Sequence, residues 1–180
     1  FTPDVIPGFE LIKARNGSTS AKYNGNMLHS AYNPEKESEN LAKAEALEKA
    51  DTLVFYGFAL GYLPNKCASL YPTKNIVLIE PDPLWLIAAF SAMDWEPILT
   101  QNSCVFFLQA PSPAIISVLE QFGLKTCAHI APDIQIAHDT RYFSSIQELI
   151  TRNNQKHAIN TATLEKFSNL WLRNLCINIR

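Results

Sequence analysis

The sequence predicts an α/β fold: a parallel sheet covered by helices on both faces, preceded by a β-hairpin and followed by a helical extension. Three observations predict it. Short apolar runs at 53–56, 76–79 and 104–108 lack the polar alternation of a half-solvated sheet. Helical segments at about 64–70, 83–93 and 113–121 separate them, so strand and helix alternate. Two of these helices open on Asp82-Pro83 and Ser112-Pro113, each a capping side chain followed by a proline suited to the first turn. With a further strand at about 126–130, the pattern is a Rossmann-like three-layer parallel sheet of four or five strands, with an N-terminal β-hairpin and a C-terminal helical extension.

The elements follow in order. Runs at 9–14 and 20–28 flank the turn-prone Asn16-Gly17-Ser18 and read as the hairpin. Asn33 caps a helix that begins at Pro34, with Glu35 and Glu37 near the positive end of its dipole. It is expected to run to about residue 50, with Leu41, Ala44 and Leu47 facing inward. Gly123 is a helix stop. After Tyr142 the pattern is helical to the end, with Leu164, Phe167, Trp171, Leu175 and Asn178 at three- and four-residue steps. The organisation expected is therefore 1–34 hairpin and lead-in, 35–140 core, and 141–180 helical extension. Trp171 reads as an anchor against a further domain, and the natural protein is expected to continue past Arg180.

Composition narrows the functional classes. The chain has 180 residues, 47% hydrophobic and 18% charged, a globular balance of single-domain size. Fifteen Lys+Arg against 17 Asp+Glu leave a net charge of −2, which argues against nucleic acid or an acidic membrane as partner. Residues 141–180 hold six Lys/Arg and two Asp/Glu, a local +4 that reads as a helix surface complementing the acidic first half. No apolar run approaches the roughly 18–20 residues that span a bilayer. Cys67, Cys104, Cys127 and Cys176 lack CxxC spacing and read as four buried thiols of a cytosolic chain. His129 and His138 lack metal spacing, and would cluster with Asp133 and Asp139 only if the loop folded back. No metal site is expected.

The most informative stretch is the strand running into Gly57-Phe58-Ala59-Leu60-Gly61-Tyr62. A dinucleotide GxGxxG loop would need glycine at 57, 59 and 62; the chain has Gly57, Ala59 and Tyr62. A shorter GxGxG loop fits better, with Gly57 and Gly61 matched and Ala59 a small replacement. Glu80 ends the next strand, where an acid accepts hydrogen bonds from ribose hydroxyls. The candidate binding residues for a nucleoside or nucleotide-sugar are therefore Gly57, Ala59, Gly61, Tyr62, Glu80 and Asp82, joined by His29 and Tyr32 from the lead-in. Each has a structural reading beside the functional one. Tight strand–helix turns use glycine without a ligand, Asp82 caps a helix, and His29 and Tyr32 stitch a loop to the sheet.

Four pieces in order carry a resemblance: Leu28-His29-Ser30-Ala31-Tyr32-Asn33-Pro34 before a Glu-rich helix; Gly57-Phe58-Ala59-Leu60-Gly61-Tyr62; Ile79-Glu80-Pro81-Asp82; and Phe167, Trp171, Asn174 and Asn178 on the last helix. Over about residues 10–180 the chain resembles the N-terminal region of the motility-associated factor (Maf) proteins, bacterial flagellin glycosyltransferases. The resemblance implies a cytoplasmic protein that transfers nonulosonic acids, such as pseudaminic or legionaminic acid, from CMP-activated donors to Ser/Thr of flagellin. It also implies that transfer belongs to a central domain downstream, leaving this chain a non-catalytic module. Its implied partners are that domain, flagellin and further copies of itself. Two positions depart from the family pattern: Ala59 where glycine is common and Leu63 where histidine is frequent. Two alternatives stay open, an S-adenosylmethionine-dependent methyltransferase using Gly57–Gly61 and Glu80, and an interaction module with an empty crevice.

Overall fold

The computed structural model describes residues 6–100 and 103–178, with side chains described to residue 168. Its centre is a four-stranded parallel sheet. The strands are β4 (Thr52–Tyr56), β5 (Asn75–Glu80), β6 (Cys104–Leu108) and β7 (Cys127–Ile130), in the spatial order β6-β5-β4-β7. The missing alternation of β4 and β5 has a direct cause: both faces of these strands are buried. Leu53, Phe55, Ile76 and Leu78 pack on one face with Cys67, Trp95 and Ile98. Val54, Tyr56, Val77 and Ile79 pack on the other with Ile115, Leu119, Phe143 and Ile146. Each such side chain contributes about 1.5–3 kcal/mol when fully buried.

Helices connect the strands. They are α3 (Tyr62–Leu70), α4 (Pro83–Ala92), the short α5 (Glu96–Leu99) and α6 (Ser112–Phe122); the one-turn α7 (Asp133–Ile136) and α8 (Thr140–Asn178) follow β7. Asp82 caps α4 by accepting the Leu84 amide, and Gly123, at φ +84°, ends α6. Ser112 is not a cap. The N-cap of α6 is Pro111, and the Ser112 hydroxyl instead meets that of Ser145 on α8 at 2.5 Å.

The N-terminal region departs from a simple hairpin. β1 (Phe9–Lys13), β2 (Thr19–Tyr23) and β3 (Asn26–Met27) form a three-stranded antiparallel sheet. Asn24 and Gly25 both adopt positive φ, as a two-residue hairpin turn requires, so the second expected run folds back on itself. This sheet is joined to the rest through Ile6, Phe9, Ala21, Leu60, Tyr62, Trp85 and Ala88.

The helix expected over 34–50 is also divided, into α1 (Pro34–Ala42) and α2 (Glu45–Lys49). Ala42 and Leu47 would lie about 140° apart on one continuous helix. The break at Lys43-Ala44 turns both into the core, while Leu41 and Ala44 are exposed. Of the cysteines, Cys67 is buried, Cys104 and Cys127 are half-buried, and all three are free; the Cys176 side chain lies outside the described residues. Leu164 and Phe167 are exposed on α8, and the Trp171 and Leu175 side chains lie outside the described residues. No helix among the described residues is long and apolar enough to cross a membrane.

Candidate functional site

The strand order places a topological switch at β4. Its crossovers leave toward β5 on one side, while β7 returns on the other. Open α/β sheets bind ligands at the carboxyl ends of strands flanking such a point. The loop Gly57–Gly61 leaves β4 there, and the chain bends through Gly57 at φ +68°, Ala59 at +47° and Gly61 at +88°. A left-handed alanine is strained by roughly 1–2 kcal/mol, and its close packing holds it there.

Protein side chains cover this bend. A Cβ on Gly57 would lie 3.0 Å from Gln135 Cβ and Oε1, and one on Gly61 would lie 2.3 Å from Trp95. Both glycines are thus required by the chain's own packing. The loop amides are largely committed as well. Gly57 donates to Ile79 O at 2.9 Å, Leu60 to His29 Nε2 at 3.1 Å, and Gly61 to Phe58 O at 2.7 Å. In the first turn of α3, Pro64 has no amide hydrogen, and Asn65 donates to Gly61 O. A phosphate cradle needs several convergent free N–H groups, and the Gly57, Leu60 and Gly61 amides of the bend are spent.

His29 and Tyr62 join the loop from the side. Their rings meet edge to face at 5.0 Å, and the Tyr62 hydroxyl donates to Thr19 O at 2.6 Å. Burial lowers the His29 pKa to about 4, so the ring stays neutral while it accepts the Leu60 amide. Burial raises the Tyr62 pKa. Tyr32 does not reach the cleft. It is exposed, its ring lying under the Arg15 guanidinium at 4.9 Å.

Glu80 ends β5 as expected, but its carboxylate is enclosed. Oε1 accepts the Asp82 amide at 3.1 Å and lies 3.2 Å from His138 Nε2, with the two side chains 3% and 5% exposed. Burial pushes the Glu80 carboxyl above its ordinary value, and His138 opposes that shift. His138 is stacked on Trp85 at 5.1 Å and edge-on to Phe143. The histidine–aspartate cluster at 129–139 does not form. His138 pairs with Glu80, His129 Nδ1 meets the Tyr56 hydroxyl at 2.9 Å, and Asp139 accepts the Tyr142 amide. No group of three metal-ligating side chains occurs among the described residues.

Sequence reasoning missed Gln135 and the Glu80–His138 pairing. Both depend on the chain after β7 returning over the sheet, which no local spacing encodes. The Pro132-Asp133 helix start was the available signal for Gln135.

Three comparisons bear on this geometry. The family model for the glycosyltransferase Maf N-terminal domain matches residues 8–104, more than half of the chain. The chain belongs to the glycosyltransferase Maf N-terminal domain family. An uncharacterized protein of Treponema pallidum (strain Nichols) is 25% identical over 179 residues, covering 97% of this chain and 61% of the relative. The chain therefore spans about three-fifths of that relative's length. The structure of a Maf glycosyltransferase from Magnetospirillum magneticum AMB-1 matches at a TM-score of 0.50 and 15% identity, over 81% of this chain and 31% of that one. At that identity the likeness concerns the fold. The O-methyltransferase TomG of Streptomyces achromogenes matches at a TM-score of 0.33 and 15% identity, over 69% of this chain and 67% of that one, too slight a likeness to build on.

Proposed function

We propose that this chain is the N-terminal accessory module of a bacterial Maf-type glycosyltransferase that O-glycosylates flagellin with nonulosonic, sialic-acid-like sugars, and that it is not itself catalytic. Its family membership supports the glycosyltransferase setting. The observation that carries the accessory role is the closed loop. Gln135 stands over Gly57, Trp95 over Gly61, and Glu80 is sealed against His138. A transferase centre needs an acid or base within reach of the reacting groups, and here the nearby carboxylates are engaged: Glu80 accepts the Asp82 amide beside His138, Asp82 caps α4, and Glu37 accepts the Ser30 amide. The exposed Ile159, Leu164 and Phe167 on α8 suit contact with a downstream transferase domain of the same protein.

The experiment is mass spectrometry of flagellin co-expressed with the full-length protein. Glu80→Gln and His29→Gln variants of that protein are expected to keep transfer within about threefold of the parent, the range of an indirect structural effect. Loss of transfer in a variant that still folds would place a catalytic group in this module and overturn the reading.

A further inference from the structure

Between the carboxyl ends of β4 and β7 lies a cleft of about 130 Å³. Leu41, Phe58, Leu63 and Ile130 form much of its wall, and Gln135 and His29 supply polarity. Gln135 is 6% exposed, and its Oε1 has no hydrogen-bond partner. An unpartnered buried carbonyl is costly to the fold, and a donor arriving in the cleft would offset that cost. The atom packs over the bend at the cleft's edge: it lies 3.0 Å from where a Gly57 Cβ would stand, and both residues line the cleft, so only glycine leaves it this room. His29 offers the complementary group. Its Nε2 accepts the Leu60 amide, which places the proton of the neutral ring on Nδ1 as a donor.

Size and charge define what fits. An apolar cavity of about 150 Å³ holds a single benzene ring, so this cleft takes one small ring and not a nucleotide. Among the described residues no lysine or arginine lines it. Its charged lining group is the Glu37 carboxylate, which accepts the Ser30 amide. An anion would find no counter-charge there.

We propose that the cleft between β4 and β7 binds a small uncharged ring compound with a hydrogen-bond donor beside an acceptor, a lactam or amino-heterocycle, its donor on Gln135 Oε1 and its acceptor facing His29. The proposal is independent of the role in flagellin glycosylation.

Calorimetry on the full-length protein tests it with 2-pyridone, a neutral lactam of this size. The expected result is saturable one-to-one binding that weakens at least about tenfold for N-methyl-2-pyridone, which lacks the donor. Gln135→Met, which keeps the volume and removes the acceptor, is expected to weaken 2-pyridone by a similar factor while the melting curve stays cooperative. Absence of saturable 2-pyridone binding overturns the proposal. So does equal affinity for the N-methyl compound, unchanged affinity in a folded Gln135→Met protein, or competition by inorganic phosphate. Should Gln135→Met fail to fold, the two pyridones decide the matter on the parent protein.

Discussion

Two places on the carboxyl rim of one sheet bury polar side chains, with opposite outcomes. At the end of β5 the Glu80 carboxylate accepts the Asp82 amide and stands 3.2 Å from His138 Nε2, a close ionic contact that leaves Nε2 itself without a hydrogen bond. At the β4–β7 switch, a few residues along the same returning chain, Gln135 Oε1 has none. Enclosure with a partner makes a structural fastening; enclosure without one leaves hydrogen-bonding capacity for something outside the chain. The difference teaches that the acid expected to hold a ligand is the wrong place to look. The open capacity sits on an amide that the sequence does not advertise.

Substitutions along the rim can break or sharpen this contrast. The largest effect is expected at the end of the glycine bend. Gly61→Ala puts a Cβ 2.3 Å from Trp95 at a positive φ and should cost about 2–5 kcal/mol in urea unfolding. A loss near zero would mean that the loop is not packed as described. Next, His138→Leu strands the Glu80 carboxylate in the interior and should cost about 3 kcal/mol, and pairing it with Glu80→Gln should recover part of that loss.

The third effect is on pH. His29 has a folded pKa of about 4 against an ordinary 6.5. Between those values the unfolded chain takes up a proton that the folded chain refuses. Stability should therefore fall as pH drops from 6.5 to 4, by at most about 1.4 kcal/mol per unit, and be untouched by this group above 6.5. The raised Glu80 pKa acts the other way, contributing stability that is lost as pH rises above the ordinary carboxylate value. The difference between wild type and His29→Gln, followed by thermal melts, isolates the histidine; equal slopes in both would contradict its assignment.

Gln135→Leu is expected to change stability by less than about 1 kcal/mol, or to raise it, because it removes an unpaired buried acceptor. The sign contrast with His138→Leu is the sharpest form of the comparison. Smallest is Ala59→Gly, which should gain about 0.5–1 kcal/mol by relieving a left-handed alanine, less the entropy that glycine adds to the unfolded chain. A loss on that substitution would argue that the Ala59 methyl is needed for packing.

Much of this fold was legible before any coordinates. The unbroken apolar runs of β4 and β5 and the Asp82-Pro83 start are local signals, and each stands where it was read. The glycine bend was also legible, because only a few residues tolerate positive φ. What covers that bend was not. Trp95, Gln135 and His138 reach it from distant parts of the chain, and tertiary return carries no spacing of its own. The two N-terminal revisions have local causes instead. Asn24-Gly25 is a stronger hairpin turn than the run around it suggested, and the inward turn of Leu47 outweighed the periodicity that put Leu41 and Ala44 inside.

The most direct test is amide hydrogen exchange on the full-length protein with and without saturating nucleotide-sugar donor, followed in peptides covering residues 53–66. With the bend covered by Gln135 and Trp95, exchange there is expected to stay unchanged while donor protects segments elsewhere in the protein. Donor-dependent protection confined to Gly57–Gly61 would contradict the closed loop and, with it, the accessory role.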